Sequence, residues 1–497
     1  MDNRRQSGAG GTPDHAASTS PGSIRLPVGL VAALFLLACL LPLALAMTRP
    51  VSPAATWEVA AAGLGLVGLA AMAVQFLTSG RFEAISGRLG IDRVMAFHKT
   101  TAWWVLLALL LHPVAYLVPT FLADPALAYE RGLAYLTLPQ YRSGVIALGA
   151  LVPLVLGSAL RNHLPLRYET WRAAHVILAI TAVGAGLHHA VTAGRFSATG
   201  ALNGYWWLVG AAVVAVILTL YGWRWARLRA RPWRLASVEK RADRLWELDI
   251  QPEAGTPPLR YRAGQFVWIT EGNRRFPLFD HPFSIADSPT RPGLSLIIKE
   301  AGDFTGRIGS LPASTVMGID GPYGTFTLEN HRDDAVLLIA GGVGIAPIMG
   351  LLRDLKARRH GRPVRLAYAV GAARNLACLP EIAAAEADLD LRSMLLSETE
   401  EAGFPGETGR LDRTRLTALL DGLDPRNTVA MICGPGPMVT AVTDQLIELG
   451  LPMDRVMYER FDYSEGASRL DMRMRWRFRA LGGALLAGVL GFVAALG

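Results

Sequence analysis

The chain has little cysteine for its length: three residues in 497, Cys39, Cys378 and Cys433, all far apart. They form no CxxC pair, no zinc-ligand spacing and no disulfide framework. A reducing cytoplasm suits Cys378 and Cys433. No constellation of side chains suited to general acid–base catalysis stands out either. The net charge of +8 does not read as a nucleic-acid footprint, because the excess lies in short loops beside hydrophobic runs, where it sets topology. What the chain does have is apolar sequence. Hydrophobic residues make up 51% and mean hydropathy is positive. That is high for a soluble protein and low for a purely membrane one, so a membrane part joined to a soluble part is expected.

Two of the apolar runs carry histidines at both ends. One is HKTTAWWVLLALLLH, from His98 to His112; the other is HVILAITAVGAGLHH, from His175 to the doublet His188–His189. A polar ring in a membrane helix needs a partner, and imidazole is a common ligand of haem iron. The steps 98→112 and 175→189 are equal. At roughly 1.5 Å per residue each pair is about 21 Å apart, and both members fall near one helix face. Two such helices side by side can hold two haems, one near each membrane surface. His188 and His189 compete for the outer position; helical phase favours His189, and a tilt or bulge would favour His188.

Residues 1–27, rich in Gly, Ser and Pro, read as a disordered cytoplasmic tail. Spanning segments are expected at 28–47, 57–77, 99–118, 144–160, 171–191 and 204–223, each near the roughly 20 residues that cross a bilayer. The Ala-Leu-Ala before Met47 has the form of a signal cleavage site, but the long leader favours an uncleaved anchor. Arg81, Arg88 and Arg93 follow the second segment, Arg161, Arg167 and Arg172 the fourth, and Arg224, Arg227, Arg229, Arg231 and Arg234 the sixth. The intervening loops hold only Arg131, Arg142 and Arg195. The positive-inside rule therefore places both the N-terminus and everything after the sixth segment in the cytoplasm. His98 and His175 then share the inner level, and His112 shares the outer level with His188 or His189. Arg142, Arg195 and whichever histidine of the doublet is not a ligand, near the outer level, read as interfacial anchors or as attractors of an anionic chelate or superoxide.

From 231 to 327 short strand-like runs separated by Gly, Pro and Asp predict a small antiparallel barrel. From 333 to 463 strands alternate with helices, which predicts a parallel α/β nucleotide-binding domain. The apolar residues 479–497 follow five arginines and predict a seventh spanning helix, with Ala484 and Gly488 in a small-xxx-small spacing. An amphipathic surface helix is the alternative. The fold class expected is thus a multi-domain membrane protein: a helical bundle at 28–226, a β-barrel, an α/β domain and an extra C-terminal helix.

Chemistry-bearing motifs lie in the soluble half. In HPFSIA, from His281 through Pro282, Phe283 and Ser284, an aromatic and a hydroxyl residue can hold a flavin ring. In GDFTGRI, Gly302, Phe304 and Thr305 open a turn toward a helix, where backbone N–H groups can receive a pyrophosphate. In AVLLIAGGVGIAPIMGLL, a strand runs into Gly341, Gly342 and Gly344 and then a helix containing Pro347. Glycines there let backbone approach phosphate. MICGPGPM adds a second turn, with Cys433, Gly434 and Pro435; a small buried thiol is the plain alternative to any catalytic part for Cys433.

Taken with DGPYG (Asp320 to Gly324), these motifs make residues 28–463 resemble the membrane branch of the ferredoxin–NADP⁺ reductase superfamily, the ferric reductases and NADPH oxidases. The resemblance implies bis-histidine ligation of two b-type haems in the bundle. It implies FAD at His281, Pro282, Phe283, Ser284, Gly302, Phe304 and Thr305. It also implies NADPH or NADH at Gly341, Gly342, Gly344, Pro347, Cys433, Gly434 and Pro435. Arg374 stands where the family often reads the adenosine end, which leans toward NADPH. MYERFDY resembles the family's C-terminal aromatic segment, in which Phe461 covers the flavin until nicotinamide displaces it. The implied protein is a multi-pass inner (plasma) membrane oxidoreductase with cytoplasmic FAD and NAD(P)H domains. Its acceptor outside is a ferric chelate, O₂ or a periplasmic redox partner. A nucleotide-sensing transporter or sensor without redox activity is the alternative from another class.

Overall fold

A computed structural model describes residues 27–48, 55–79, 91–197, 200–329, 331, 335–461 and 469–497. Residues 1–26 of the expected tail and most of the loop bearing Arg81 and Arg88 therefore lie outside the described residues. The first half is helical: α1 (Val28–Met47), α2 (Thr56–Val74), α3 (Ile91–Ala123), α4 (Pro125–Thr137), α5 (Arg142–Ala159), α6 (Tyr168–Ala193) and α7 (Gly200–Ala230). Six of these, together with the C-terminal helix, are long and apolar enough to cross a membrane. α4, at 13 residues, is the exception.

Hydropathy predicts a loop over 119–143; α4 forms there instead. The reason is local. Asp124 caps the helix by accepting from the backbone N–H groups of Ala126 (2.9 Å) and Leu127 (3.1 Å). Pro125 stands at the first helical position, where its missing N–H costs nothing. α3 also runs further than its apolar core, 33 residues through Pro113 and Pro119. That is roughly 50 Å of helix, more than the roughly 30 Å hydrocarbon thickness.

The barrel consists of β1 (Pro232–Ala242), β2 (Leu245–Pro252), β3 (Phe266–Glu271), β4 (His281–Ser284), β5 (Leu294–Lys299) and β6 (Val316–Tyr323). They pair antiparallel in the order β4-β3-β6-β1-β2-β5 around a core that includes Leu235, Leu248, Ile250, Ile269, Ile285 and Leu296. Strand-like runs predict β1, β2, β3 and β5. β4 and β6 escape that reading because each contains a proline and β4 is only four residues long.

The second sheet is parallel: β7 (Ala335–Gly341), β8 (Val364–Val370), β9 (Leu391–Ser397), β10 (Glu407–Thr408), β11 (Thr428–Gly434) and β12 (Val456–Arg460), ordered β10-β9-β8-β7-β11-β12. Its helices are α8 (Ile345–Ala357), α9 (Leu379–Asp388), α10 (Arg413–Leu419) and α11 (Gly436–Glu448). The central strands are buried on both faces, hence their unbroken apolar runs. The chain ends in α12 (Arg469–Leu496), which includes the basic stretch as well as the apolar one. α12 packs on α1 and α2. A Cβ on Gly488 would lie 2.4 Å from Leu40, and one on Gly63 3.2 Å from Val489, so glycines on both sides permit the close approach.

Arg353 on α8 ties the two soluble domains together. Its guanidinium donates to Glu247 of β2 (2.7 Å), to Glu381 of α9 (2.8 Å) and to the Ala286 carbonyl (2.6 Å). Burial would raise the Glu247 carboxyl, but the Arg353 hydrogen bond and the charges of Arg353 and Arg241 outweigh it and hold the group below its ordinary range. Replacing Arg353 takes away the bidentate partner of that buried carboxylate and leaves it with Arg241 at 2.6 Å. Arg353→Met is expected to destabilise the soluble half by about 1–3 kcal/mol, read as a lower thermal midpoint. A depressed carboxyl contributes stability above its unfolded value, about 4.3, and that contribution fades as pH falls through the folded value. Wild-type protein should therefore lose stability on acidification over that window more steeply than Arg353→Met.

Candidate functional site

α3 packs on α2 and α6 packs on α5, and the histidine rings face each other across the space between these layers. The His98 and His175 ring centroids are 6.5 Å apart, and so are those of His112 and His189. An imidazole nitrogen binds a metal at about 2.0–2.1 Å, so with a ring radius of roughly 1.2 Å two rings opposed on one metal sit about 6.4 Å apart. Both pairs have that separation. His189, not His188, stands opposite His112; His188 is exposed, one residue out of phase.

The hydrogen bonds select which nitrogen faces the gap. His112 Nδ1 lies 2.7 Å from the Ala61 carbonyl, which can only accept, so Nδ1 carries the proton and the lone pair rests on Nε2. The Ser158 hydroxyl donates to the Leu154 carbonyl at 2.7 Å and so accepts from His175 Nδ1 at 2.9 Å, with the same result. Partners of this kind orient metal-binding histidines. Two glycines make room. A Cβ on Gly65 would lie 2.7 Å from His112 Nδ1, and one on Gly144 3.0 Å from His189 Nδ1.

The barrel meets the bundle at its His98–His175 end. Arg172 of α6 bonds the Asp280 carboxylate at 2.5 Å, and Arg224 (3.5 Å) and Arg227 of α7 both pair with Asp320 of β6. Both aspartates are buried. Loop-charge reasoning assigns these arginines to topology alone. The signal that they dock the barrel is an acid at two of the soluble motifs: Asp280 immediately precedes HPFS, and Asp320 opens DGPYG.

In the HPFS strand, Ser284 is buried and Phe283, half-buried, packs against the barrel core. Pro282 pairs with Trp268 of β3. His281 stacks face to face on Phe304, centroids 4.2 Å apart and planes 6° from parallel. Burial pushes the His281 ring below its ordinary pKa, with Glu169 and Asp280 opposing, which favours a neutral ring at pH 7. After GDF the chain forms only a six-residue 3₁₀ turn, Thr305–Ser310, in place of the expected helix. Thr305 Oγ1 accepts from the N–H groups of Ala301 (2.8 Å) and Gly302 (2.9 Å), so the turn closes on its own hydroxyl.

In the α/β domain the pairing of β7 with β11 brings the two glycine turns together. A Cβ on Gly344 would fall 2.0 Å from the Cys433 carbonyl, and one on Gly341 2.5 Å from Met438 Sδ. Gly342 has φ +55°, and the 3₁₀ turn Gly342–Gly344 leads into α8. Pro347 lies in the first turn of α8, and Gly434 and Pro435 lead into α11. Cys433 is buried. Arg374 is exposed and 3.9 Å from Asp243. Phe461 follows β12 and is 41% exposed. Glu247, Cys378 and Glu381 also come close enough to hold a metal, but Arg353 engages both carboxylates.

Residues 64–186 match the family model for the ferric reductase like transmembrane component, 234–341 that for an FAD-binding domain, and 338–444 that for an oxidoreductase NAD-binding domain. Among curated proteins the chain is 29% identical over 222 residues to the reductase component of propane 2-monooxygenase of Gordonia sp. (strain TY-5), covering 43% of this chain and 61% of the relative. It is 32% identical over 212 residues to the same component of Mycolicibacterium goodii, covering 40% and 59%. The chain thus spans about three-fifths of the length of these relatives. Of solved structures, flavohemoglobin from Malassezia yamatoensis with bound FAD and heme aligns over 81% of this chain and 99% of its own, at 18% identity and a TM-score of 0.45.

The tight glycine turns generate a test. Gly344→Ala forces the two turns apart and is expected to cost about 1–3 kcal/mol in the α/β domain. It should raise the KM for NAD(P)H while flavin content, read from the visible spectrum, stays near one per chain.

Proposed function

From a chain that joins a ferric-reductase-like transmembrane component to FAD- and NAD-binding oxidoreductase modules, and is therefore an NAD(P)H-dependent membrane oxidoreductase, we propose a transmembrane electron path. It runs from cytoplasmic NAD(P)H to an acceptor outside. The observation that carries the proposal is the equal 6.5 Å separation of two opposed histidine pairs, roughly 21 Å apart along their helices.

His98 and His175 hold the inner b-type haem; His112 and His189 hold the outer one. FAD lies against the His281–Ser284 strand and the turn of Gly302, Phe304 and Thr305. NAD(P)H enters the cleft of Gly341, Gly342, Gly344 and Pro347, facing Cys433, Gly434 and Pro435. Exposed Arg374 leans the preference toward NADPH, and Phe461 covers the flavin. Bound FAD and haem supply the redox chemistry: hydride acceptance, then single-electron carriage. The chain's own part is positioning. Ala61 and Ser158 orient two of the four ligands, and the Asp280 and Asp320 pairs hold the barrel under the inner histidines. Arginine-rich loops keep the soluble domains on the cytoplasmic side of the inner membrane. At the outer side Arg195 is paired with Glu58 at 2.5 Å. That supports an anchor over an anion trap for Arg195. The acceptor is a ferric chelate, O₂ or a periplasmic redox protein.

The purified protein should show a Soret band that shifts on dithionite reduction, with two haems per chain. A spectrum without one sinks the proposal and favours a nucleotide sensor. His98→Leu and His112→Leu should each lose haem and transmembrane transfer yet keep NAD(P)H-dependent flavin reduction. Gly65→Val, which drives a side chain into His112, should lose one of the two haems. Superoxide formation against a requirement for ferric chelate separates the acceptors.

A further inference from the structure

Between the His98–His175 pair and the barrel lies a continuous series of rings that no motif predicts. Phe304 stacks on His281 at 4.2 Å; His281 lies 5.8 Å from Tyr168; Tyr168 lies 5.9 Å from Trp171; and Trp171 lies 5.5 Å from His175. Tyr168 and Trp171 sit at the cytoplasmic start of α6, three residues apart and hence on one face. Tyr and Trp are common at membrane surfaces as anchors. These two differ from anchors in what they touch: the flavin-side histidine and the inner haem-side histidine. Each is also held from a second side. Arg161 lies over Trp171 at 5.4 Å and Arg172 over Tyr168 at 5.9 Å. Arg172 is the residue that pairs with Asp280, the immediate neighbour of His281. Domain docking and ring placement therefore share one side chain.

We infer that Tyr168 and Trp171 are positioning residues that form an aromatic bridge between the flavin strand and the inner histidine pair. The inference rests on the transmembrane-path reading above. Trp171, with its ring centroid 5.5 Å from that of His175, limits the rotation of this imidazole, while Ser158 fixes its Nδ1. Tyr168 fills the space between α6 and His281 and keeps water from it. With FAD and haem bound, the bridge would serve transfer of one electron at a time, one electron leaving the flavin side for each one gained at the His98–His175 site, with the flavin's protons kept on the cytoplasmic side. The rings gain and lose nothing.

The test uses the full-length protein in detergent, with Trp171→Leu, Trp171→Phe, Tyr168→Leu and Tyr168→Phe. Two readouts are taken. One is the electron paramagnetic resonance signal of the oxidised haems, which reports the relative orientation of the two imidazole planes without any turnover. The other is rapid mixing with NADPH under anaerobic conditions, which follows flavin and haem reduction separately. The Leu variants should reduce flavin at the wild-type rate and haem roughly tenfold more slowly or worse, and Trp171→Leu should shift the signal of one haem only. The Phe variants should restore both readouts to within about twofold of wild type. Tyr168→Leu, one ring further from the ligand, carries the test if Trp171→Leu loses its haem. Unchanged haem reduction in both Leu variants overturns the bridge, as does a slowing that Phe does not rescue. A wild-type protein without haem overturns the underlying path instead, so the two failures are distinct.

Discussion

The membrane half depends on how its buried imidazoles are partnered: Nδ1 of His112 and His175 is hydrogen-bonded, whereas Nδ1 of His98 and His189 is buried without a hydrogen-bond partner among the described residues. An unpaired polar group in such surroundings costs on the order of 1–3 kcal/mol, and four stand in apolar helices here. For His112 and His175 the partner is at Nδ1, supplied by the Ala61 carbonyl and the Ser158 hydroxyl. That leaves Nε2 for the space between the layers. Glycine at 65 and 144 is the consequence, since any larger residue would enter the volume the rings occupy.

The buried charges beneath the inner pair do a different job. Ion pairs taken out of water return little net stability, because desolvation offsets the attraction. They do penalise every misaligned arrangement, since a displaced Asp280 or Asp320 would be left buried without its arginine. Asp280 is adjacent to His281, and Asp320 lies in β6, beside the strand that carries Trp268. The docking contacts thus sit immediately before β4 and within β6. Arg172, which pairs with Asp280, also lies over the Tyr168 ring, so barrel docking and ring placement at the start of α6 share one side chain.

Periodicity and charge reveal most of this architecture, because hydropathy reports burial in lipid and glycine reports close approach. The equal histidine spacing is legible because a helix converts sequence number into depth. Phase alone inclines toward His189, and only the facing helix decides which ring stands opposite His112. Contacts between distant segments leave no local trace. Arg172 and Arg224 look like any loop arginine until their aspartates are placed beside them. Tyr168 and Trp171 look like interfacial anchors until His281 is brought under them. α4 is hidden for another reason: its Asp-Pro start reads as a break, although it is a good helix N-terminus. β4 is hidden by its length and its proline.

The C-terminal helix changes the mechanical situation of the α/β domain. In a chain that stopped after β12, that domain would hang from the barrel by one end. Here β12 ends at Arg460 and α12 begins at Arg469, nine residues on. At no more than roughly 3.6 Å per residue, the last strand lies within about 30 Å of the helix start. α12 is in turn packed against α1 and α2 through glycine contacts that tolerate little sliding. The domain is therefore held to the membrane at both ends. Phe461 stands directly after β12, where the segment leading to α12 begins. Any displacement of the α/β domain has to keep its last strand within that reach of α12 and has to be accommodated at the Arg353 junction with the barrel.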